Sequence, residues 1–186
     1  MKKEAWNVLL IMSEQTPFTL PLIFFSLFMV NLDTRLLMMM ALVFFNMITN
    51  SILKFIIKGG YKFTGKESLP ILGRGYRPSN NLNCSVFGGK VKGEQTFGMP
   101  SGHSQIIWSI IGYLLVHLYY ENHYDDNFKY YYPFQATFLI MMGIIVSYSR
   151  VHIKCHTPMQ VILGGIIGFG IGIGWYHVYP YPPILE

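Results

Sequence analysis

Two stretches of this chain place chemically capable side chains at the edges of apolar runs. The first is Gly98-Met99-Pro100-Ser101-Gly102-His103-Ser104-Gln105, directly ahead of an apolar segment. It reads as a helix start: Ser101 suits the cap, Gly102 lacks a side chain that would bar an anion from the backbone N–H groups, and the helix dipole favours negative charge there. That combination is a phosphate cradle. The imidazole of His103 beside it suits a general acid for an oxygen leaving phosphorus, provided it lies within hydrogen-bond reach.

The second stretch is Ser149-Arg150-Val151-His152-Ile153-Lys154-Cys155-His156-Thr157-Pro158-Met159-Gln160, between two further apolar runs. Arg150 and His156 sit where polar groups are costly, which makes them functional candidates by default. Gln160 follows His156 by four residues. If a helix begins near Thr157, the Gln160 amide oxygen reaches back to the imidazole and fixes its tautomer. An attacking histidine needs that arrangement, because the far nitrogen must be held for the near one to present a lone pair to phosphorus.

Blander readings compete for the same residues. Ser101 alone is explained by helix capping, and Arg150 and Lys154 by snorkelling at a helix end. His152 and His156 are four apart and would pair as metal ligands on one helix. Pro158 argues that the helix starts after His156, and no Glu follows His152, so the expected site holds no metal and needs no cofactor. His117, His123 and His177 read as interface or loop residues.

The elements that must position these groups follow from composition. Of 186 residues, 52% are apolar and only 12% are charged, about half the ionic share of a soluble domain, roughly 25%. The same numbers exclude disorder. A bilayer core of about 30 Å needs roughly 20 mostly apolar residues per helix, and five runs approach this: 17–31, 36–57, 104–120, 133–149 and 157–178. The expected fold is therefore all-α: a polytopic transmembrane helical bundle of about five spans, one integral-membrane domain over 1–186. Residues 1–16 read as an interfacial segment carrying Trp6, and the short apolar stretch behind Met1-Lys2-Lys3-Glu4 lacks the cleavage pattern of a removed signal peptide. Residues 59–99 read as a long glycine-rich basic loop between helices two and three; loops of that length are mostly functional or mobile. In the last run Gly164, Gly165, Gly168, Gly170, Gly172 and Gly174 predict a helix packed inside the bundle. Met38, Met39 and Met40 read as core filler.

Five spans put the N-terminus, the 59–99 loop and the 150–156 junction on one membrane face. The Asp33 and Arg35 turn, the acidic loop with Glu121, Asp125 and Asp126, and the C-terminal tail fall on the other. Lys54, His103, Arg150 and His156 thereby converge. The net charge of +5 suits nucleic acid, headgroups or a phosphorylated substrate in general terms. Here the cations Lys62, Lys66, Arg74, Arg77, Lys90 and Lys92 lie in the loop beside the bilayer, so the expected partners are the bilayer and a membrane lipid, not nucleic acid.

The residues GMPSGHSQ and SYSRVHIKCHTPMQ, with Arg77-Pro78 upstream, resemble the three signatures of the phosphatidic acid phosphatase type 2 superfamily: a Lys and Arg-Pro element, PSGH and SRx5H. Gln160, where most members have Asp, together with Gly102-His103-Ser104-Gln105 followed by Trp108 and the YSRV start, is similar to the dolichyldiphosphatase branch. The resemblance spans roughly residues 50–175. It implies a metal-independent phosphatase in which His156 attacks phosphorus to give a phosphohistidine and His103 protonates the departing oxygen. Lys54, Arg77, Arg150 and the Ser101 and Gly102 backbone would hold the phosphoryl oxygens. The implied substrate is a polyisoprenoid diphosphate of the dolichyl type. A lipid monophosphate, or a catalytically silent lipid-binding member of the fold, are the alternatives. Lys54 stands farther from Arg77 than the family's usual interval, so Lys58 and Arg74 are the competing cations for its place.

Two signals on orientation oppose each other. Of 14 Lys and Arg, only Arg35 and Lys129 fall outside the site's face, which the positive-inside rule makes cytosolic. The resemblance implies a site facing the lumen of the endoplasmic reticulum, and Asn83-Cys84-Ser85 on that face is a glycosylation sequon. Cys84 and Cys155 share the face, and a bridge between them is allowed but not dictated by the sequence.

Overall fold

The computed structural model describes residues 2–64, 75–78, 84, 97–124 and 131–179, with the side chains of 2–14, 61–64 and 121–124 outside the description. Five helices follow one another: α1 (Lys2–Asn31), α2 (Thr34–Thr64), α3 (Gly102–Tyr124), α4 (Tyr132–His152) and α5 (Pro158–Val178). Among the described residues the only β pairing is one isolated antiparallel bridge, Tyr76 with Phe97. The chain is an all-α bundle, as expected. Residues 2–16 are helical and run without a break into the first apolar segment. Nothing before Pro17 interrupts a helix, and Pro17 and Pro21 lie inside α1. In apolar surroundings such prolines are tolerated where neighbouring groups re-satisfy the freed backbone.

The turn between α1 and α2 is set by two residues. Leu32 takes a left-handed φ of 52° and its N–H closes α1 on the Phe28 carbonyl at 2.7 Å. Asp33 then caps α2: its carboxylate accepts from the Arg35 N–H at 3.0 Å and from the Arg35 guanidinium at 2.6 Å, while its carbonyl takes the Leu36 N–H. A carboxylate at a helix start satisfies an orphan donor and meets the positive end of the dipole.

Three helices, Thr34–Gly60 within α2, Tyr132–His152 and Pro158–Val178, are long and apolar enough to cross a membrane, and the apolar part of α1, Gln15–Asn31, is shorter. Helix α3 does not reach that threshold although it sits at the centre, packing on each of the other four helices and most extensively on α5. The reason is that its polar residues face protein. His103, Ser104, Gln105 and Ser109 are all buried, whereas lipid-facing positions elsewhere are apolar, such as Phe55 at 80% exposure and Phe134 at 75%.

The α3–α5 contact has a register readable in the residues. Gly164, Gly168 and Gly172 face Ser101, Gln105 and Ser109: a Cβ on any of the three would run into the carbonyl oxygen of its opposite number. Two rows, each with a spacing of four, thus let the backbones touch, which is how helices gain contact in lipid without a hydrophobic driving force. Gly170 and Gly174 have nothing within 4 Å of a built Cβ, so these two point away from the bundle, contrary to expectation. They lie on the opposite helical face from the 164, 168, 172 row.

Helix α2 joins α3 through an amide ladder. Asn46 donates to Ser109 Oγ at 2.9 Å, Asn50 donates to Gln105 Oε1 at 2.8 Å, and Gln105 donates back to Asn46 Oδ1 at 3.3 Å. Below it Met39, Leu42, Val43, Ile106, Ile110, Tyr113 and Tyr176 form the apolar core. Met39 fills it as expected, and Met38 turns outward at 36% exposure.

Candidate active site

The turn between α4 and α5 folds His156 back over Arg150. Helix α4 ends as the Ile153 N–H reaches the Ser149 carbonyl at 3.0 Å. Lys154 then adopts a left-handed φ of 57°, uncommon for a residue with a Cβ. This reversal delivers the N–H groups of Cys155 and His156 to one acceptor, the Arg150 carbonyl, each at 3.1 Å. Thr157 caps α5: its hydroxyl accepts from the Gln160 N–H at 3.3 Å, and Gln160 Oε1 accepts from the Thr157 N–H at 3.3 Å. With Pro158 opening the helix, this is a capping box with glutamine at its third position.

That box fixes which way the Gln160 amide faces. The Thr157 N–H can only donate, so it demands the oxygen. The Tyr76 carbonyl can only accept, and the Gln160 amide nitrogen donates to it at 3.0 Å. Gln160 Oε1 therefore faces His156 Nδ1, at 3.1 Å. An oxygen accepts, so Nδ1 carries the proton and Nε2 keeps the lone pair.

Residues 59–64, expected in the loop, instead continue α2, and two described stretches between α2 and α3, 75–78 and 97–101, meet beside this pair. The Gly98 N–H donates to the Gly75 carbonyl at 2.8 Å, beside the Tyr76–Phe97 bridge. A Cβ on Gly98 would lie 2.8 Å from Arg77 Cγ, 2.8 Å from Gln160 Oε1 and 3.3 Å from His156 Nδ1. Only glycine lets the strand before α3 lie this close. Cys84 is joined to Cys155 by a disulfide, so the loop is also tied to the residue next to His156.

At the start of α3 the structure corrects one expectation. Ser101 occupies the cap position, its carbonyl taking the Gln105 N–H at 3.0 Å, but its hydroxyl is buried and makes no hydrogen bond among the described residues. Its N–H is already donated to the Gln160 carbonyl at 3.0 Å. The Ser101 N–H is thus engaged within the protein. The turn itself is held by Asn50, which donates to the Pro100 carbonyl at 3.3 Å and whose Oδ1 lies 3.1 Å from a Cβ built on Gly102. Nothing in the one-dimensional pattern marked Asn50, an amide inside an otherwise apolar run; an isolated polar residue at membrane depth is the signal that finds it.

His156 is 2% exposed and Arg150 is completely buried. The His156 pKa is held well below the ordinary imidazole value, first by burial and then by the charges of Arg77, Lys54, Arg150 and His103. Its neutral form is thus favoured near pH 7. The same list shows that the structure gathers the residues expected from sequence around one imidazole. Lys54 is among them despite its longer interval from Arg77, whereas Lys58, one helical turn further along α2, is exposed. Arg74 lies outside the described residues. Burial also lowers the Arg77 pKa, and Arg77 Nε is a buried donor without a hydrogen-bond partner among the described residues. His152 and His156 are not one helical turn apart, since α4 ends at His152 and the Lys154 reversal intervenes; His152 instead packs on Tyr148 at 5.8 Å. Among the described residues no group of three His, Cys, Asp or Glu side chains is placed to hold a metal ion.

Over 88 residues, 47% of this chain, it is 36% identical to dolichyldiphosphatase 1 of Dictyostelium discoideum, of which the match covers 38%. The human protein of the same name is 36% identical over 84 residues, 43% of this chain and 35% of its own length, and the Mus musculus one 33% identical over 86 residues. The matched segment therefore spans well under half of these relatives. No solved structure matches. The PAP2 superfamily model matches residues 34–183, which takes in α2 to α5 and every residue of the site, and the chain belongs to that superfamily.

Proposed function

We propose that the chain is a membrane lipid phosphatase that hydrolyses a polyisoprenoid diphosphate of the dolichyl type to the monophosphate and phosphate. The observation that carries this reading is the buried His156, its Nδ1 held by Gln160 Oε1 so that Nε2 is left to attack, amid Lys54, Arg77, Arg150 and His103. His156 Nε2 attacks the terminal phosphorus, the bond from that phosphorus to the bridging oxygen breaks, and His103 gives its proton to the departing lipid phosphate. His103 then takes a proton from the water that attacks the phosphohistidine, releasing phosphate and restoring His156. Lys54, Arg77 and Arg150, with the Ser101 hydroxyl and the N–H groups from Gly102 onward, balance the charge on the equatorial oxygens. Such fixed donors supply most of the acceleration in phosphoryl transfer.

Gln160 gives this nucleophile a particular character. A neutral amide orients the imidazole without the negative charge that would raise its basicity. The phosphorylated ring, with Nδ1 still protonated, is then cationic and a good leaving group for the second step. The disulfide supports a lumenal site, because such bonds persist in oxidising compartments; the cations that catalysis needs account for part of the opposing positive charge on that face. Glycosylation at Asn83 tests the orientation.

The activity itself is tested by phosphate release from dolichyl diphosphate, comparing the parent with His156→Ala and His103→Ala. Turnover in the parent, reduced about 10²- to 10⁴-fold in His103→Ala and abolished in His156→Ala, is expected. Preference for phosphatidic acid in a substrate panel would replace the substrate, and no turnover of any lipid phosphate would make the chain a silent member of the fold.

A further inference from the structure

Between α4 and α5, with α3 as its floor, lies an apolar groove of about 530 Å³ that opens sideways to the surrounding lipid. We infer that it is the binding site for the head-proximal part of a single polyisoprenoid chain. This rests on the phosphatase reading above and adds to it where the hydrocarbon goes.

Two residues that line the groove are chain neighbours of the phosphate site. Val151 and Pro158 line its upper end, and each adjoins the machinery: Val151 follows Arg150, and Pro158 opens the helix whose third residue is Gln160. The Val161 carbonyl accepts from Ser104 Oγ at 2.7 Å, next to His103. Ser104 Oγ in turn lies 3.2 Å from Ser147 Oγ, a groove residue one helical turn from Arg150. From Pro158 to Phe169 the groove follows α5 for about 16 Å at 1.5 Å per residue, near half of a roughly 30 Å hydrocarbon core. A lipid held by its diphosphate at His156 would lay its first chain segment in this groove.

Its floor is built, not left over. The Trp108 indole lies between α4 and α5 because both neighbours there are glycine: a Cβ on Gly165 would be 3.0 Å from Trp108 Cδ1, and one on Gly143 3.1 Å from Cε2. Trp108 Nε1 donates to Ser147 Oγ at 3.0 Å, and Phe169 meets the ring edge-on at 6.4 Å. The indole is thereby fixed and its polar atom satisfied, leaving an apolar surface. Ile144 on one wall and Ile162 and Ile166 on the other are 54%, 52% and 65% exposed. Consecutive antiparallel helices joined by the short 153–157 turn form the two walls, a width for one chain; a two-chain lipid would leave its second chain outside.

The test uses a polyprenyl diphosphate bearing a diazirine near its head, with labelled residues mapped by mass spectrometry, alongside kcat/KM for geranyl, farnesyl, geranylgeranyl and longer polyprenyl diphosphates. Expected are labels on Ile144, Ile162 and Ile166 that unlabelled polyprenyl diphosphate competes away. Catalytic efficiency should rise by about tenfold or more from geranyl to geranylgeranyl as the chain gains dispersion contacts with the groove walls, then level off once the chain outruns the groove. Ile166→Trp should flatten that rise, and Ile52→Trp, on the outer face of α2, should keep it. Groove labelling reproduced by a diacyl lipid probe, or efficiency independent of chain length, overturns the inference while leaving the phosphatase reading intact. Competed labelling without hydrolysis of any diphosphate supports the groove and overturns the phosphatase reading.

Discussion

His156 Nδ1 and Gln160 Oε1 stand 3.1 Å apart, and the direction of that bond is set by two groups that belong to neither residue's chemistry, the Thr157 N–H and the Tyr76 carbonyl. A helix cap and a loop carbonyl together choose the tautomer of His156. Gln160→Leu removes the acceptor, so kcat should fall by about 10² or more while KM changes little; a wrong tautomer in a comparable relay costs roughly 10⁴. Gln160→Glu keeps an acceptor but adds negative charge. It should raise the His156 pKa and move the acid-side loss of activity to higher pH, as read from pH–rate profiles.

The depressed His156 pKa sets a pH dependence for the parent. The imidazole stays neutral below its ordinary range, so, if His156 is the proposed nucleophile, kcat/KM should show no acid limb near pH 6.5 attributable to its protonation. Stability follows the same sign. Below about pH 6.5 the unfolded chain binds a proton at this position that the folded chain refuses. Stability is therefore complete above that value and declines as pH falls toward the lowered folded value. Thermal denaturation across this range checks it, with His156→Ala expected to flatten the slope.

Gly98 has no chemistry of its own, yet a methyl there would press on Arg77, Gln160 and His156 together. Gly98→Ala should cut kcat/KM by about 10²-fold, the typical effect of misplacing reacting groups by about 1 Å. The helical content, read by circular dichroism, should hold, because Gly98 lies outside the five helices.

Asn50 ties α2 to the turn before α3. Asn50→Leu leaves Gln105 Oε1 and the Pro100 carbonyl without their donor, which should cost about 1–3 kcal/mol and lower the melting temperature in detergent. Asn50→Asp supplies no donor either and adds a charge beside Gly102, so it should be the more damaging of the two for phosphate release.

How much of this was legible in the sequence follows from what each feature depends on. The helices were readable because lipid demands long apolar runs. The pairing of Gln160 with His156 was readable because Pro158 fixes where α5 begins and a spacing of four then does the rest. The convergence of Lys54, Arg150, His103 and His156 followed from alternating spans. The full reach of α1 was not readable, since polar helix formers before Pro17 look the same in a helix and in an interfacial strip. Asn50 and Gly98 were missed because their roles lie in contacts across the bundle. The idle Ser101 hydroxyl was missed because a serine before a helix looks like a cap until its partners are seen. Lys154 gave no sign of its reversal, as only a glycine there would have announced it.

The most direct measurement is to mix the protein with dolichyl diphosphate radiolabelled in the terminal phosphate, quench rapidly in alkali, and follow label on the polypeptide. The mechanism predicts an acid-labile, alkali-stable phosphoprotein in the parent, mapped to His156, accumulating in His103→Ala if dephosphorylation slows more than its formation, and absent from His156→Ala. Steady turnover with no protein-bound label at any time, or label that survives in His156→Ala, would contradict it.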